Sequence, residues 1–115
     1  MALGTQNDVS MHSGDSLTLE ITVNDASGSA VDVTSATASW ALSKKATDST
    51  APRGAALVTK SATIIDGPTG RVDVALDPAD TDALAGTYYH ELQVTVDGNV
   101  STVLYGSITI AKDLV

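Results

Sequence analysis

Few side chains in this sequence have the chemistry of a general base, a nucleophile or a metal ligand. The two histidines, His12 and His90, are the side chains whose charge changes near neutral pH. His90 alternates in phase with apolar neighbours and His12 lies at the end of a short alternating segment, so both are predicted to be structural. No Gly-x-Ser-x-Gly sequence or comparable frame presents a serine as a nucleophile. The sequence therefore predicts no catalytic residue, and we expect the protein not to be an enzyme.

Asp77, Asp80 and Asp82 form the carboxylate cluster that would be needed to hold a cation. Their spacing matches no calcium-binding loop, and helix capping is the simpler explanation. Asp77 suits an N-cap, Pro78 the first helical position and Asp80 the third, where a carboxylate faces the positive end of the helix dipole. The chain has no cysteine, and no glycine-rich loop opens a helix as a phosphate site requires. No metal and no cofactor are therefore expected.

Tyr89 and Tyr105 are the aromatic side chains that the strand pattern directs outward. Either tyrosine could stack on a sugar, which leaves a carbohydrate- or receptor-binding, adhesin-like module as the alternative function. Exposed tyrosines on a β-sandwich are more often part of a protein interface. Contact with another protein is therefore the first expectation for these residues.

The chain is strongly acidic, with 6 Lys and Arg against 14 Asp and Glu and a net charge of -8. This charge disfavours binding to nucleic acid, which depends on neutralising phosphates with cations, and disfavours anionic membranes for the same reason. The start of the sequence lacks the basic and apolar regions of a secretory signal, and no apolar run is long enough to span a bilayer. We expect a product made in the cytoplasm that contains no transmembrane segment.

Alternation of apolar and polar residues runs through most of the sequence and predicts strands with one buried face. About seven such segments are present: 9–12, 17–24, 36–43, 57–65, 71–76, 88–96 and 104–110. Turn residues separate them, and Asp97-Gly98-Asn99 suits a tight hairpin. The pattern predicts an all-β fold, an antiparallel sandwich that forms a single domain over residues 1–115 with an ordered core at about 8–111.

The expected core contains one large aromatic residue, Trp40, in the middle of a strand. A short helical turn near 78–84 is expected to cross between the sheets, with Leu84 as its core plug. Tyr88 then opens the next strand, where immunoglobulin-type sandwiches carry a tyrosine whose hydroxyl ties this corner together. The predicted core residues are Trp40, Tyr88, Leu92, Leu19 and Ile21.

Several segments occur in an order that is found in one group of domains. They are Gly14-Asp15-Ser16-Leu17-Thr18-Leu19, Ala30-Val31-Asp32-Val33-Thr34-Ser35-Ala36-Thr37, Asp66-Gly67-Pro68-Thr69-Gly70-Arg71-Val72, Leu76-Asp77-Pro78-Ala79-Asp80-Thr81, Ala85-Gly86-Thr87-Tyr88-Tyr89 and Leu104-Tyr105-Gly106-Ser107-Ile108-Thr109-Ile110. Over about residues 8–111 the chain resembles the small immunoglobulin-like domains of phage tail, neck and baseplate proteins, including the N-terminal domain of baseplate upper proteins. The resemblance implies an immunoglobulin-like sandwich with no catalytic residues.

The resemblance also implies a function. The implied function is that of a virion structural protein, an adaptor, connector or decoration domain of a bacteriophage tail, neck, baseplate or capsid. Its partners would be other virion proteins and further copies of itself in a homo-oligomer. In many relatives a fibre or receptor-binding region follows such a domain. Since the sequence stops at Val115 without one, a stand-alone adaptor is the expectation.

Three surface regions are predicted to make these contacts. The first is a long polar loop between Lys44 and Ala55, the second is the pair of outward tyrosines, and the third is the chain termini. The candidate interface residues are Lys44, Lys45, Arg53, Tyr89, Tyr105, Asp80 and Asp82. The loop between Lys44 and Ala55, which is basic, is expected to contact the acidic turn at Asp77–Asp82 of a neighbouring subunit.

Overall fold

The structure, a computed structural model, describes residues 5–6, 8–25, 27–44 and 56–112, with residues 5 and 6 described by their backbone alone. These residues form nine strands and one short helix. The elements are β1 Thr5–Gln6, β2 Val9–His12, β3 Leu17–Thr22, β4 Thr37–Lys44, β5 Val58–Ser61, β6 Thr63–Asp66, β7 Arg71–Leu76, α1 Pro78–Thr81, β8 Gly86–Val96 and β9 Asn99–Ala111. Most of the predicted loop from Lys44 to Ala55 lies outside the described residues, together with Lys45 and Arg53.

The strands form two sheets that pack face to face. The larger sheet has the order β1-β9-β8-β4-β5, with β2 also pairing with β9, and the smaller sheet has the order β3-β7-β6. The pairs of β1 and β2 with β9 are parallel, whereas the other strand pairs are antiparallel. The first strands therefore lie on the β9 edge of the larger sheet, and the antiparallel sandwich predicted from the sequence has a parallel margin there.

The order of the strands identifies the type of sandwich. Lettered in chain order, the strands from β3 to β9 are B, C, C′, D, E, F and G of an immunoglobulin-like fold. The smaller sheet, β3-β7-β6, then has the order B-E-D, and the larger sheet, β9-β8-β4-β5, has the order G-F-C-C′. The predicted immunoglobulin-like β-sandwich is confirmed. The segment 57–65, read as one strand in the sequence, is two strands that belong to different sheets.

The core lies between the two sheets and is almost entirely aliphatic. Trp40 and Leu92 are fully enclosed, and Leu19 and Ile21 are buried on the opposite sheet. Tyr88 is half-buried and packs against the margin of this core. These side chains fill the space between the two sheets. Because protein interiors are close-packed, their shapes determine how the sheets pack against each other.

The helix α1 begins where the sequence predicts but ends early. Asp77 precedes it in an extended conformation, and its backbone N–H donates a 2.7 Å hydrogen bond to the Asp80 carboxylate. The helix ends at Thr81, so the prediction of a turn over 78–84 was too long. Leu84 is only half-buried, while Thr81 is fully buried and its hydroxyl accepts a 3.0 Å hydrogen bond from the Gly14 N–H. Thr81, not Leu84, is therefore the core plug.

Candidate interaction surface

The outer face of the larger sheet brings the two predicted surface tyrosines together. Tyr105 on β9 lies directly opposite Glu91 on β8. The Tyr89 hydroxyl donates a 2.8 Å hydrogen bond to Glu91 Oε2. Both tyrosines are half-buried in the sheet surface, less exposed than the sequence suggested. We call the surface formed by Tyr89, Glu91 and Tyr105, with the outward residues of the neighbouring strands, the tyrosine face.

Small side chains surround the tyrosines on this face. Ser43 on β4 and Ser107 on β9 lie opposite Tyr89 on either side, and Ala41 lies opposite Glu91. Ser43 is 8% exposed, so hydroxyls as well as rings form the floor of the face. Because backbone ladders join its strands, the tyrosine face is preorganised, which lowers the entropic cost of covering it.

Charge is scarce on the tyrosine face. Among the described residues of β4, β5, β8 and β9 the charged side chains are Lys44, Lys60 and Glu91. Glu91 alone has the outward strand phase, since Lys44 pairs with Tyr88 on the inward phase and Lys60 reaches α1. Interface cores are depleted of charged residues and enriched in tyrosine. The tyrosine face therefore has the composition of a protein-binding surface.

The acidic turn at α1 is already neutralised in part within the chain. Lys60 Nζ lies 3.3 Å from Asp77 Oδ2 and 3.0 Å from Asp80 Oδ2. The hydrogen bond from the Asp77 backbone N–H, and secondarily the Lys60 ammonium, lower the pKa of Asp80. Nothing in the sequence indicated this ion pair. Asp82 is exposed and lies outside this ion pair, so a neighbour could reach it.

Of the basic candidate residues Lys44, Lys45 and Arg53, the structure describes Lys44 alone, and Lys44 does not belong to the tyrosine face. Lys44 ends β4 and is exposed, and it pairs with Tyr88 in the inward phase of the sheet. Lys45 and Arg53 lie outside the described residues. Of the seven candidate interface residues, the structure brings Tyr89 and Tyr105 together and places Asp80 in an ion pair with Lys60.

A hydrogen bond between Trp40 and His90 crosses the larger sheet inside the core. Trp40 Nε1–H donates to His90 Nδ1 at 3.0 Å, and both side chains are fully buried. An accepting Nδ1 belongs to a neutral imidazole. Sequence reasoning assigned His90 to the interior but missed its partner. The clue was its position two residues after Tyr88, where antibody domains carry the second core cysteine.

The corner before β8 is tied by the tyrosine hydroxyl. Tyr88 Oη donates to the Ala85 carbonyl oxygen at 3.0 Å and accepts from the Ala85 N–H at 3.2 Å. This is the geometry of the tyrosine corner in immunoglobulin-like sandwiches. This pair of hydrogen bonds fixes where β8 begins, and thereby the positions of Tyr89 and Glu91 along the strand.

Neither a metal-binding cluster nor a membrane-spanning helix is found among the described residues. The described part of the chain contains no group of three or more His, Asp and Glu side chains placed to hold a metal ion. None of the described helices has the length and apolar character needed to cross a membrane.

Comparisons with known proteins give chain-wide but weak likenesses. No protein-family model matches the sequence, and no curated protein matches it. A crystal structure of an uncharacterized protein from Bacillus anthracis str. Ames is 14% identical with a TM-score of 0.49 and covers 96% of this chain and 86% of its own. Tim-1 is 13% identical with a TM-score of 0.42 and 98% of each chain covered. The natural killer cell receptor NKp44 is 16% identical with a TM-score of 0.45, covering 94% of this chain and 100% of its own.

Proposed function

We propose that this protein is a non-enzymatic structural domain of a virus particle, an adaptor, connector or decoration unit in a bacteriophage tail, neck, baseplate or capsid. The tyrosine face is the observation that carries this proposal, because it offers a protein-binding composition without any catalytic group. The order of motifs along the chain, which resembles small immunoglobulin-like domains of phage tails and baseplates, supplies the setting. Within the particle the domain acts through contacts with other virion proteins and with copies of itself.

The size of the tyrosine face fits a contact of this kind. Four strands spaced by about 4.8 Å and roughly seven residues long give a surface of about 20 by 25 Å, or on the order of 500 Å². Standard interfaces bury about 800 Å² on each partner. The face alone thus supports a weak contact. Repetition of weak contacts around a symmetric particle gives a stable assembly.

Solution mass measured by light scattering over a range of concentrations tests the proposal. A defined trimer, hexamer or larger ring is expected for the wild type. Tyr89→Ala and Tyr105→Ala should shift the equilibrium to the monomer, while Thr18→Ala, an exposed change on the opposite sheet, should not. A strict monomer at all concentrations that also fails to bind purified virus particles would argue against the proposal.

A second candidate is a carbohydrate-binding module, which one arrangement on the tyrosine face favours. Tyr105 lies beside Glu91, so an aromatic face and a carboxylate acceptor are available together for a sugar. A glycan array with the wild type, Tyr105→Ala and Glu91→Gln discriminates the two functions. Saturable binding that both substitutions abolish would favour the module, and the absence of any glycan signal would favour the structural role.

A further inference from the structure

The four edges of the two sheets differ in how well they are protected against pairing with another strand. β5 is a four-residue strand that carries Lys60. β6 has four residues and a register shift between Ile64 and Asp66. The β9 edge is covered by two short pieces, β1 and β2. Shortness, lysine and bulges are the usual protections of an edge.

The β3 edge has none of these protections. It is six residues long, contains no proline or lysine, and pairs with β7 over all six positions without a register shift. Long regular edges present a row of backbone donors and acceptors that a further strand can use. β3 is therefore the edge best suited to accept one among the described strands.

The backbone groups that an added strand would meet can be assigned. The Val23 N–H donates to the Gly70 carbonyl oxygen at 2.8 Å, on the β7 side. Because backbone groups alternate between the two sides of a strand, those of Thr18, Glu20 and Thr22 point away from β7. Outside the ladder with β7, the described part of the chain provides no backbone hydrogen bond to these three residues.

The charge along this edge selects the kind of strand that fits. Asp15 precedes β3, Glu20 lies in its middle and Asp25 follows it, with no Lys or Arg between them. Arg71 on β7 contacts Glu20 but also donates to Asp73 Oδ1 at 3.1 Å, so its single positive charge is shared by two carboxylates. The edge remains acidic and complements a cationic segment.

We propose that the β3 edge is a docking site for an extended basic segment of a partner protein, which adds as a fourth strand to the smaller sheet. On the outer face, Lys or Arg of this segment lies beside Glu20. On the inner face, apolar residues cover Leu17, which is half-buried at the margin of the core. This inference goes beyond the proposed function and holds whether or not the protein belongs to a virus particle.

Amide hydrogen exchange resolved by residue tests this docking site directly, with a short blocked peptide of alternating lysine and valine as the probe. In the dilute protein, the amides of Thr18, Glu20 and Thr22 should exchange much faster than those of Leu19 and Ile21. Peptide at ten times its dissociation constant should slow these three exposed amides about tenfold. A peptide of alternating glutamate and valine should leave them unchanged.

Three variants make the experiment specific. Thr18→Pro removes an outward N–H and should weaken binding at least several-fold without removing a bond to β7. Glu20→Lys should reverse the preference towards the glutamate peptide, and it remains informative if the proline variant does not fold. Asp66→Lys, an equal change of charge at an exposed position on the far edge of the same sheet, is the matched control and should bind the lysine peptide as the wild type does.

Three outcomes would overturn the proposal. The first is full protection of the Thr18, Glu20 and Thr22 amides in the dilute protein, since the edge would then be occupied already. The second is an unchanged exchange pattern at millimolar lysine peptide. The third is protection that rises with protein concentration in the absence of peptide, because a second copy would then be the occupant.

Discussion

Trp40 donates its one side-chain hydrogen bond to His90 inside a core that is otherwise aliphatic. In antibody domains the corresponding tryptophan packs on a disulfide, which this chain, without cysteine, cannot form. A neutral hydrogen bond contributes about 1 kcal/mol net, but a buried donor left without a partner costs about 1–3 kcal/mol. The pair therefore does more to specify one arrangement of the core than to stabilise it.

Removal of the Trp40 side chain tests how much the core depends on this residue. Trp40→Ala should lower the free energy of unfolding by about 3–5 kcal/mol, because it deletes a fully buried aromatic ring and leaves a cavity. Urea denaturation followed by circular dichroism gives the value. Val100→Ala, at a position 60% exposed, is the control and should change the free energy by less than about 0.5 kcal/mol. An unchanged midpoint for Trp40→Ala would contradict this picture of the core.

A double-mutant cycle measures the Trp40–His90 hydrogen bond itself. His90→Leu leaves the buried Trp40 N–H without its acceptor and should cost about 1–3 kcal/mol. In a Trp40→Phe background the same change should cost less, because no donor remains to be left unpaired. A positive coupling energy of about 1 kcal/mol is expected from urea denaturation of the four proteins. Strict additivity would show that the pair is not energetically linked.

At the scale of elements, alternation predicted where most strands lie but not which sheet each joins. The segment 57–65 has a weak alternation with Val58, Ala62 and Ile64 in one phase, yet it leaves the larger sheet at Ala62, whose N–H donates to the Ala38 carbonyl oxygen at 2.9 Å, and joins β7 from Thr63 onwards. A change of sheet does not alter the period of the side chains, so the sequence could not reveal it. The alternation also gave no sign of the ion pair between Lys60 on β5 and Asp80 on α1, because it does not show which elements lie side by side.

Likewise, the tyrosine face was predictable only in part. The outward phase of Tyr89 and Tyr105 followed from their positions in alternating strands. Their meeting at Glu91 depends on the register of β8 with β9, which includes a shift between Leu92 and Gln93. A register shift of one residue moves every later side chain to the other face, and no local pattern specifies where it falls.

Acid should weaken α1 through Asp80. The folded protein lowers the pKa of this carboxyl below its ordinary value of 3.8, chiefly through the Asp77 backbone N–H. Such a group stabilises the fold above its unfolded pKa, and the stabilisation is lost as the pH falls through the folded value. Asp80→Asn should therefore cost about 0.5–1 kcal/mol at pH 7 and little at pH 2. Thermal unfolding across this range checks the prediction, and an equal cost at both values would contradict it.

At the scale of the whole molecule, charge is distributed unevenly. The net charge is -8, while the tyrosine face carries Glu91 as its one charged residue among those described. Sheets of a sandwich lie about 10 Å apart, so carboxylates on the outer face of the smaller sheet are more than one Debye length behind the tyrosine face at physiological salt. Two copies that meet through this face therefore bring few described like charges close together.

The salt dependence of self-association decides between two ways of assembling. If copies meet through the tyrosine face, added salt screens the repulsion between their acidic bodies, and association should strengthen from about 20 mM to 300 mM NaCl. If the basic stretch at Lys44 and Lys45 pairs with Asp82 of a neighbour, association should weaken over the same range. Sedimentation of the wild type and of Lys44→Glu/Lys45→Glu measures both effects. Stronger association in salt, unaffected by the double reversal but lost in Tyr105→Ala, is the result expected here. Loss of assembly in the lysine variant would assign the contact to the basic stretch instead.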